Sequence, residues 1–390
     1  FPIGEYSGVQ SSSSSQQVGF WQTERFWKAV YGPEVSLSET EAAVSEIISS
    51  YLPIGCVMAV CAAVRHRWQR LGVKERPLLL LAMAELCRLN AQASDLVAVA
   101  LSAGSPPALG DAAGIERRQV EAAFGSKVAM LLVDLQQLAA IERTVRTTPR
   151  EGDPASREAV LSPGQVDLAM ALLTAQKTQG KSSESLILFL AHKAAELRLF
   201  SLAIGTGLIF QGEDLEDLQL SAAMGTDVFA PLANLLGLGR IKDELEDGAF
   251  AITHAEDRSA LRALLARDGE GLMLGAAEEL RQALEAEILG SRSLTALRVS
   301  GRAKTANSTW KKMRKKQLQF HEVLDSAALR VILDAEDAAE AERLCFAVRD
   351  LVAELWTLAP GREKDYVSNP KANGYRSLHL VAIREGKPFE

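Results

Sequence analysis

Cysteine, histidine and net positive charge are all scarce in this chain. The 4 cysteines among 390 residues, Cys56, Cys61, Cys87 and Cys345, have neither paired C-x-x-C spacing nor well-placed histidines. That argues against both a disulfide framework and structural zinc, and they read as reduced, mostly buried thiols. A formal net charge of -7 argues against a surface coated for nucleic acid or anionic membrane, so any anion site must be local. No apolar run approaches the ~20 residues that span a bilayer. The longest, Pro53 to Val64 and Leu78 to Leu86, each end in charge, and a soluble protein with no membrane partner is expected. No internal repeat is visible. The chain opens on Phe1 and passes through Ser11 to Ser15, so residues 1–36 read as an N-terminal segment without a fold of its own, with the natural start missing or processed.

What is present is enough for real cores: 47% of residues are hydrophobic, and 390 residues suit two domains or one domain with a helical scaffold. From about Leu37 to Ala286 apolar residues recur at helical spacing, with Ala and Leu abundant, which predicts an all-helical part. Ser162-Pro163 reads as an N-cap and first-turn proline, Gly180 as a helix stop, and Thr144 to Pro163 as a loop. After Ser291 the pattern changes. Leu297 to Val299, Leu329 to Leu333 and Leu378 to Ile383 have strand length, Ala338 to Leu355 is helical by period, and Glu385-Gly386 suggests a turn into a further strand. The fold class expected is α+β multidomain: helices first, then a mixed α/β domain.

The densest charge is the run Arg302, Lys304, Lys311, Lys312, Arg314, Lys315 and Lys316. A solvated helix face, or an import-like basic run, is the plain reading. The finer one takes Val299-Ser300-Gly301 as a strand end, Gly301 as allowing close backbone approach, and Ser308, Lys311 and Lys312 as one helical turn, a recipe for binding phosphate. Asp325 at the entry to a strand would supply the oxygen ligand of a magnesium-nucleotide enzyme, or merely a cap. In the polar segment Pro360 to His379, Asn373-Gly374 is a turn in the plain reading. In the other, Tyr375 stacks on a purine, Asn373 bonds its edge, and Lys364, Lys371 and His379 meet phosphates.

Taken in order, G-R-x-K-x-x-x-S-x-x-x-K-M from Gly301, D-x-x-A-x-R-V from Asp325, P-G-R-x-K-D-Y from Pro360 and P-K-A-N-G-Y-x-S-L-H from Pro370 resemble the synthetase domain of the RelA/SpoT homologues. The stretches Phe229 to Leu238 and Ile241 to Asp247 resemble the helices that join hydrolase to synthetase in long members. The resemblance implies a helical HD-type hydrolase-like domain over 37–210, connecting helices over 211–290 and a synthetase domain over 291–390, incomplete at its end. It implies transfer of pyrophosphate from ATP to the 3′-hydroxyl of GTP or GDP with release of AMP, assisted by Mg2+. Carried over by motif, Arg302 and Arg330 would sandwich adenine, and Lys304, Ser308 and Lys312 would hold ATP phosphates. Asp325 would ligate Mg2+. Tyr375 would stack on guanine with Asn373 in support, and Lys364 and His379 would contact phosphate. Glu390 falls where the family's catalytic glutamate is expected, as metal ligand or general base. Arg362-x-Lys364-Asp365 matches the basic loop variant of bifunctional members, and Asn307 replaces the aromatic residue usual before the motif serine.

The same resemblance implies a lost hydrolase. Leu101-Ser102-Ala103-Gly104 stands where a manganese-binding His-Asp pair belongs, Arg76 takes the place of the first histidine, and Ala191 to Glu196 replaces the late motif. His66, His192, His254, His321 and His379 do not form a cluster that could replace them, and His192 reads as a helix-surface or packing histidine rather than a leftover ligand. Two other readings stand beside the synthetase: a non-catalytic guanine-nucleotide-responsive module, and an RNA-docking patch through Lys311 and Lys315. Contact with ribosomes or regulatory proteins would use parts outside this chain, and the compartment would be bacterial cytoplasm or plastid stroma.

Overall fold

A computed structural model describes residues 37–49, 54–67, 78–79, 82–83, 86–87, 91–102, 111–148, 161–178, 183–205, 215–267, 271–287, 294–323, 327–335, 337–372 and 374–390. The chain divides into two compact units, Phe1–Gly248 and Ala249–Glu390.

The first unit is helical throughout its described residues. Its helices are α1 (Leu37–Ser49), α2 (Ile54–Arg67), α3 (Ala93–Ser102), α4 (Asp111–Phe124), α5 (Ser126–Thr147), α6 (Pro163–Thr178), α7 (Ser183–Gly205), α8 (Leu215–Met224) and α9 (Ala230–Leu235), with α10 (Gly239–Thr253) running past the boundary. Residues such as Leu96, Leu101, Leu131, Leu132, Leu190 and Phe229 are at most 2% exposed, and they form the apolar interior. Ser162 and Gln165 make a reciprocal cap at the start of α6: the Ser162 hydroxyl accepts from the Gln165 amide at 3.3 Å, and Gln165 Oε1 accepts from the Ser162 amide at 3.0 Å. That bears out Ser162-Pro163 as a helix start. The expected loop begins later than Thr144, because α5 continues through Thr147; Gly180 lies outside the described residues. Between α8 and α9 the helix widens into a π turn at Gly225–Phe229, since Pro231 has no N–H to continue the regular ladder.

The second unit adds α11 (Ala255–Leu265), α12 (Gly271–Glu287), β1 (Leu294–Ala303), α13 (Ala306–Lys316), β2 (Ala327–Ala335), α14 (Ala338–Leu355), β3 (Thr357–Leu358), β4 (Lys364–Asp365), β5 (Leu378–His379), β6 (Ala382–Arg384) and β7 (Lys387–Phe389). β1 and β2 form an antiparallel ribbon in the register Ser300↔Arg330 and Arg302↔Ala328. β3, β6 and β7 form a second sheet, and β4 pairs with β5. Two backbone bonds, from the Glu390 amide to the Ala327 carbonyl (3.0 Å) and from the Leu329 amide to the Glu390 carbonyl (2.7 Å), set the end of β7 beside Ala328 in the pattern of a parallel bridge.

Alternation decides the two faces of the ribbon. Leu297, Val299, Leu329, Val331 and Leu333 pack on a core built from Met273, Ala276, Leu280 and Leu284 of α12 and Leu344, Val348, Leu351 and Val352 of α14. Arg330, Ile332 and Asp334 lie on the solvent side. A separate cluster, Phe250, Leu261, Leu265 and Ala306 with Trp310, Met313 and Phe320 against it, fixes α13 to α11. The anticipated strand end at Gly301 is corrected: β1 runs on to Ala303. Gly301 pairs with Leu329, and a side-chain carbon there would meet Met273 at an ordinary 3.7 Å, so no close approach depends on this glycine. Leu378 to Ile383 is not one strand but two, with different partners.

Candidate active site

β1 ends, β2 begins and β7 ends at the same edge of the ribbon. In register, positions 302, 328 and 390 form one row across three strands, with the small Ala328 in the middle. At ~4.8 Å per strand the outer two positions are about 10 Å apart. Position 330 is two residues from 328 on the same face, so positions 302 and 330 share that face with Glu390. The next residues after β1, Lys304 and Thr305, lead into α13.

Thr305 caps that helix. Its side chain accepts from the Ser308 amide at 3.2 Å, and its hydroxyl donates to the Ser308 hydroxyl at 2.9 Å. Ser308 and Lys312 are one turn apart, both half-buried, with Lys311 exposed beside them. Asn307 is 4% exposed, so this position faces the interior. The basic run thus divides. Lys304 precedes the cap and Lys311 and Lys312 follow within two turns, whereas Arg314, Lys315 and Lys316 are exposed in the last turn, where positive charge suits the helix C-terminus. Trp310 anchors the helix: its indole N–H donates to Asp257 at 3.1 Å, and Arg314 lies over its ring at 5.3 Å.

The segment from Lys364 to Glu390 brings the other group together. Lys364 pairs with His379 across β4 and β5. His379 Nδ1 lies 2.6 Å from Glu390 Oε1, and its Nε2 lies 2.9 Å from the Tyr375 hydroxyl. Tyr375 is 41% exposed. The turn before it closes through the Gly374 amide on the Lys371 carbonyl (2.8 Å) with Gly374 at φ 80, a conformation that favours glycine. Asp365 accepts from the amides of Val367 and Ser368, and the Ser368 hydroxyl and amide hold its carboxyl below the usual range. Sequence reasoning missed Tyr366. Its ring meets Tyr375 at 6.1 Å and His379 at 5.6 Å, and only the pairing of β4 with β5 would have revealed it. Lys371, read as a phosphate contact, lies over the rings of Tyr366 (4.5 Å) and Tyr375 (5.1 Å). Asp325 and Asn373 lie outside the described residues, as does the side chain of Arg302.

In the helical unit, His192 stands on α7 beside Lys193, which pairs with Glu142 and Glu196 at 2.7 Å each. Arg146 pairs with Glu142 and Asp217 at 3.0 Å each. Burial opposes the charge on Lys193, but the two glutamates outweigh it and hold its pKa above the ordinary value. Leu101 is fully buried. The Ser102 hydroxyl donates to the Val99 carbonyl at 2.9 Å, while 103–104 and Arg76 lie outside the described residues. Cys87 is buried and Cys61 and Cys345 half-buried. Among the described residues no three His, Cys, Asp or Glu side chains form a group suited to a metal ion, and no helix is long and apolar enough to cross a membrane.

A carboxylate bonded to histidine thus lies at the end of β7, on the ribbon face that positions 302 and 330 share. Residues 301–390 match the region found in RelA / SpoT proteins. A probable chloroplastic GTP diphosphokinase of Oryza sativa subsp. japonica is 39% identical over 166 residues, 42% of this chain and 22% of that protein. A GTP pyrophosphokinase of Escherichia coli is 37% identical over 172 residues, 43% of this chain and 21% of that protein. The matched stretch spans about a fifth of the length of these curated relatives. The α/β unit thus carries a RelA/SpoT region homologous to that of GTP diphosphokinases.

Proposed function

We propose that the α/β unit is a (p)ppGpp synthetase of the stringent response, transferring pyrophosphate from ATP to the 3′-hydroxyl of GTP or GDP and releasing AMP. The observation that carries this reading is the convergence of Tyr375, His379 and Glu390 at the sheet edge that positions 302 and 330 also face. Phosphoryl transfer asks the protein for positioning and charge compensation more than covalent chemistry. Arg302 and Arg330 hold the adenine, Lys304, Ser308 and Lys312 hold ATP phosphates, and Lys364 meets the guanosine phosphates. Tyr375 stacks on guanine with Asn373 at its edge. Glu390 receives the proton of the 3′-hydroxyl as that oxygen bonds to the β-phosphorus and the bond from phosphorus to the AMP oxygen breaks.

The donors suit Mg2+, a hard cation that takes oxygen ligands. The Glu390 carboxylate is 31% exposed at the sheet edge, and Asp325 precedes β2 by two residues. Asp325 and Glu390 would hold the ion, which when bound would neutralise phosphate charge. Incubating the chain with ATP labelled in its terminal phosphates, Mg2+ and GDP or GTP should yield labelled alarmone, and Asp325→Asn should abolish it. Guanosine nucleotide bound without product would instead favour the non-catalytic module.

For the helical unit we propose a scaffold without hydrolase activity. By the resemblance, Leu101-Ser102-Ala103-Gly104 stands where a His-Asp pair would belong, and in the segment Ala191 to Glu196, Lys193 joins an ion-pair cluster with Glu142 and Glu196. Manganese should not support release of pyrophosphate from (p)ppGpp; rapid release by the purified chain would contradict the proposal. Relatives named as chloroplastic and relatives from bacteria leave plastid stroma and bacterial cytoplasm as the two compartments for this reading.

A further inference from the structure

Resting on the synthetase reading, we propose that His379 is a positioning residue that orients the Glu390 carboxylate, with Tyr375 engaging its other ring nitrogen. An ionised carboxylate can only accept, so the 2.6 Å approach of His379 Nδ1 to Glu390 Oε1 puts the ring proton on Nδ1. In the neutral imidazole Nε2 is then an acceptor, and the Tyr375 hydroxyl 2.9 Å away donates to it. Both ring nitrogens are engaged within the protein.

The surroundings make this a restraint on Glu390. Its backbone is held by the bonds to Ala327 and Leu329, so side-chain torsion is its remaining freedom, and His379 limits it. The His379 ring is itself braced edge-on by Tyr366 at 5.6 Å. The His379 and Glu390 side chains are 30% and 31% exposed, so the bond between them is partly shielded from water. Tyr375 is the outermost member, and a base stacked on it would shield its hydroxyl too. Occupancy of the guanine site would thereby tighten the hold on Glu390.

Two amide replacements separate the ring nitrogens, because asparagine places its nitrogen near Nδ1 and glutamine near Nε2. In the chain, His379→Gln should lower kcat by at least about tenfold with KM for GDP nearly unchanged, and the conservative His379→Asn should recover part of that loss. A raised KM for both variants at unchanged kcat would overturn the proposal in favour of a phosphate contact. Nitrogen NMR of the neutral ring gives a readout independent of turnover: the proton should sit on Nδ1, and move to Nε2 in Glu390→Ala. A ring protonated on Nε2 in the unaltered chain would also overturn it. The Nδ1 form in a chain that transfers no pyrophosphate would uphold the network and sink the synthetase reading instead.

Discussion

His192 and Lys193 are adjacent on α7, and their shared surroundings treat them oppositely. Burial, then the neighbouring Lys193 charge, lowers the His192 pKa from 6.5 to about 4. Lys193 keeps its charge because Glu142 and Glu196 flank it. The sign for stability follows from proton counting: below pH 6.5 the unfolded chain binds a proton at this residue that the folded chain refuses until about pH 4. Stability should therefore fall as pH drops through that window, by at most about 3 kcal/mol for this half-buried residue. Urea unfolding at pH 7, 5.5 and 4.5 should show a shallower decline for His192→Gln than for the original chain; equal slopes would refute the assignment. That His192 lies on a helix was legible in the sequence from the apolar period around it, and the residue is half-buried there. Its ionic surroundings were not, because Glu142 lies on another helix and only folding brings it near.

Among the elements, α14 matched its sequence reading because every local signal agreed. Asp337 caps it, accepting from the Glu340 amide at 2.8 Å, and the apolar period places Leu344, Val348, Leu351 and Val352 on one face. The turn at Glu385-Gly386 matched as well. Glu385 has φ 51 and Gly386 φ 75, as a tight two-residue hairpin between β6 and β7 requires. Gly386→Ala should cost about 1 kcal/mol by straining that turn. Because β7 delivers Glu390, thermal melts of this variant should show a lowered midpoint together with weakened activity. An unchanged midpoint would mean that the hairpin tolerates a side chain there. The short strands were harder to read. Leu378 to Ile383 looks continuous, but His379 pairs with Lys364 while Ala382 pairs with Leu358 and Phe389. Partner choice at such range leaves no mark in local composition. Gly301 misled for a related reason: a glycine after a strand-like run reads as its end, whereas the antiparallel ladder with β2 carries β1 through it.

At the scale of the molecule, helices first and mixed α/β structure after Ser291 were foreseeable from the change in apolar period, but the compact units divide at Gly248 and Ala249, so α11 and α12 belong with the strands. The residues of the proposed site were foreseeable mainly as motifs. What the motifs leave out is how the groups are joined: Glu390 held by backbone bonds to β2, His379 bound to its carboxylate, and Tyr375 bound to His379. That arrangement gives Glu390 the central role. The most direct test is the initial rate of labelled pyrophosphate transfer from ATP to GDP with Mg2+, comparing the chain with Glu390→Gln, alongside nucleotide binding by each. Product from the chain, reduced by at least about a hundredfold in the variant while both bind GDP alike, is the expected result. Equal rates, or no product from either despite bound nucleotides, would contradict the account.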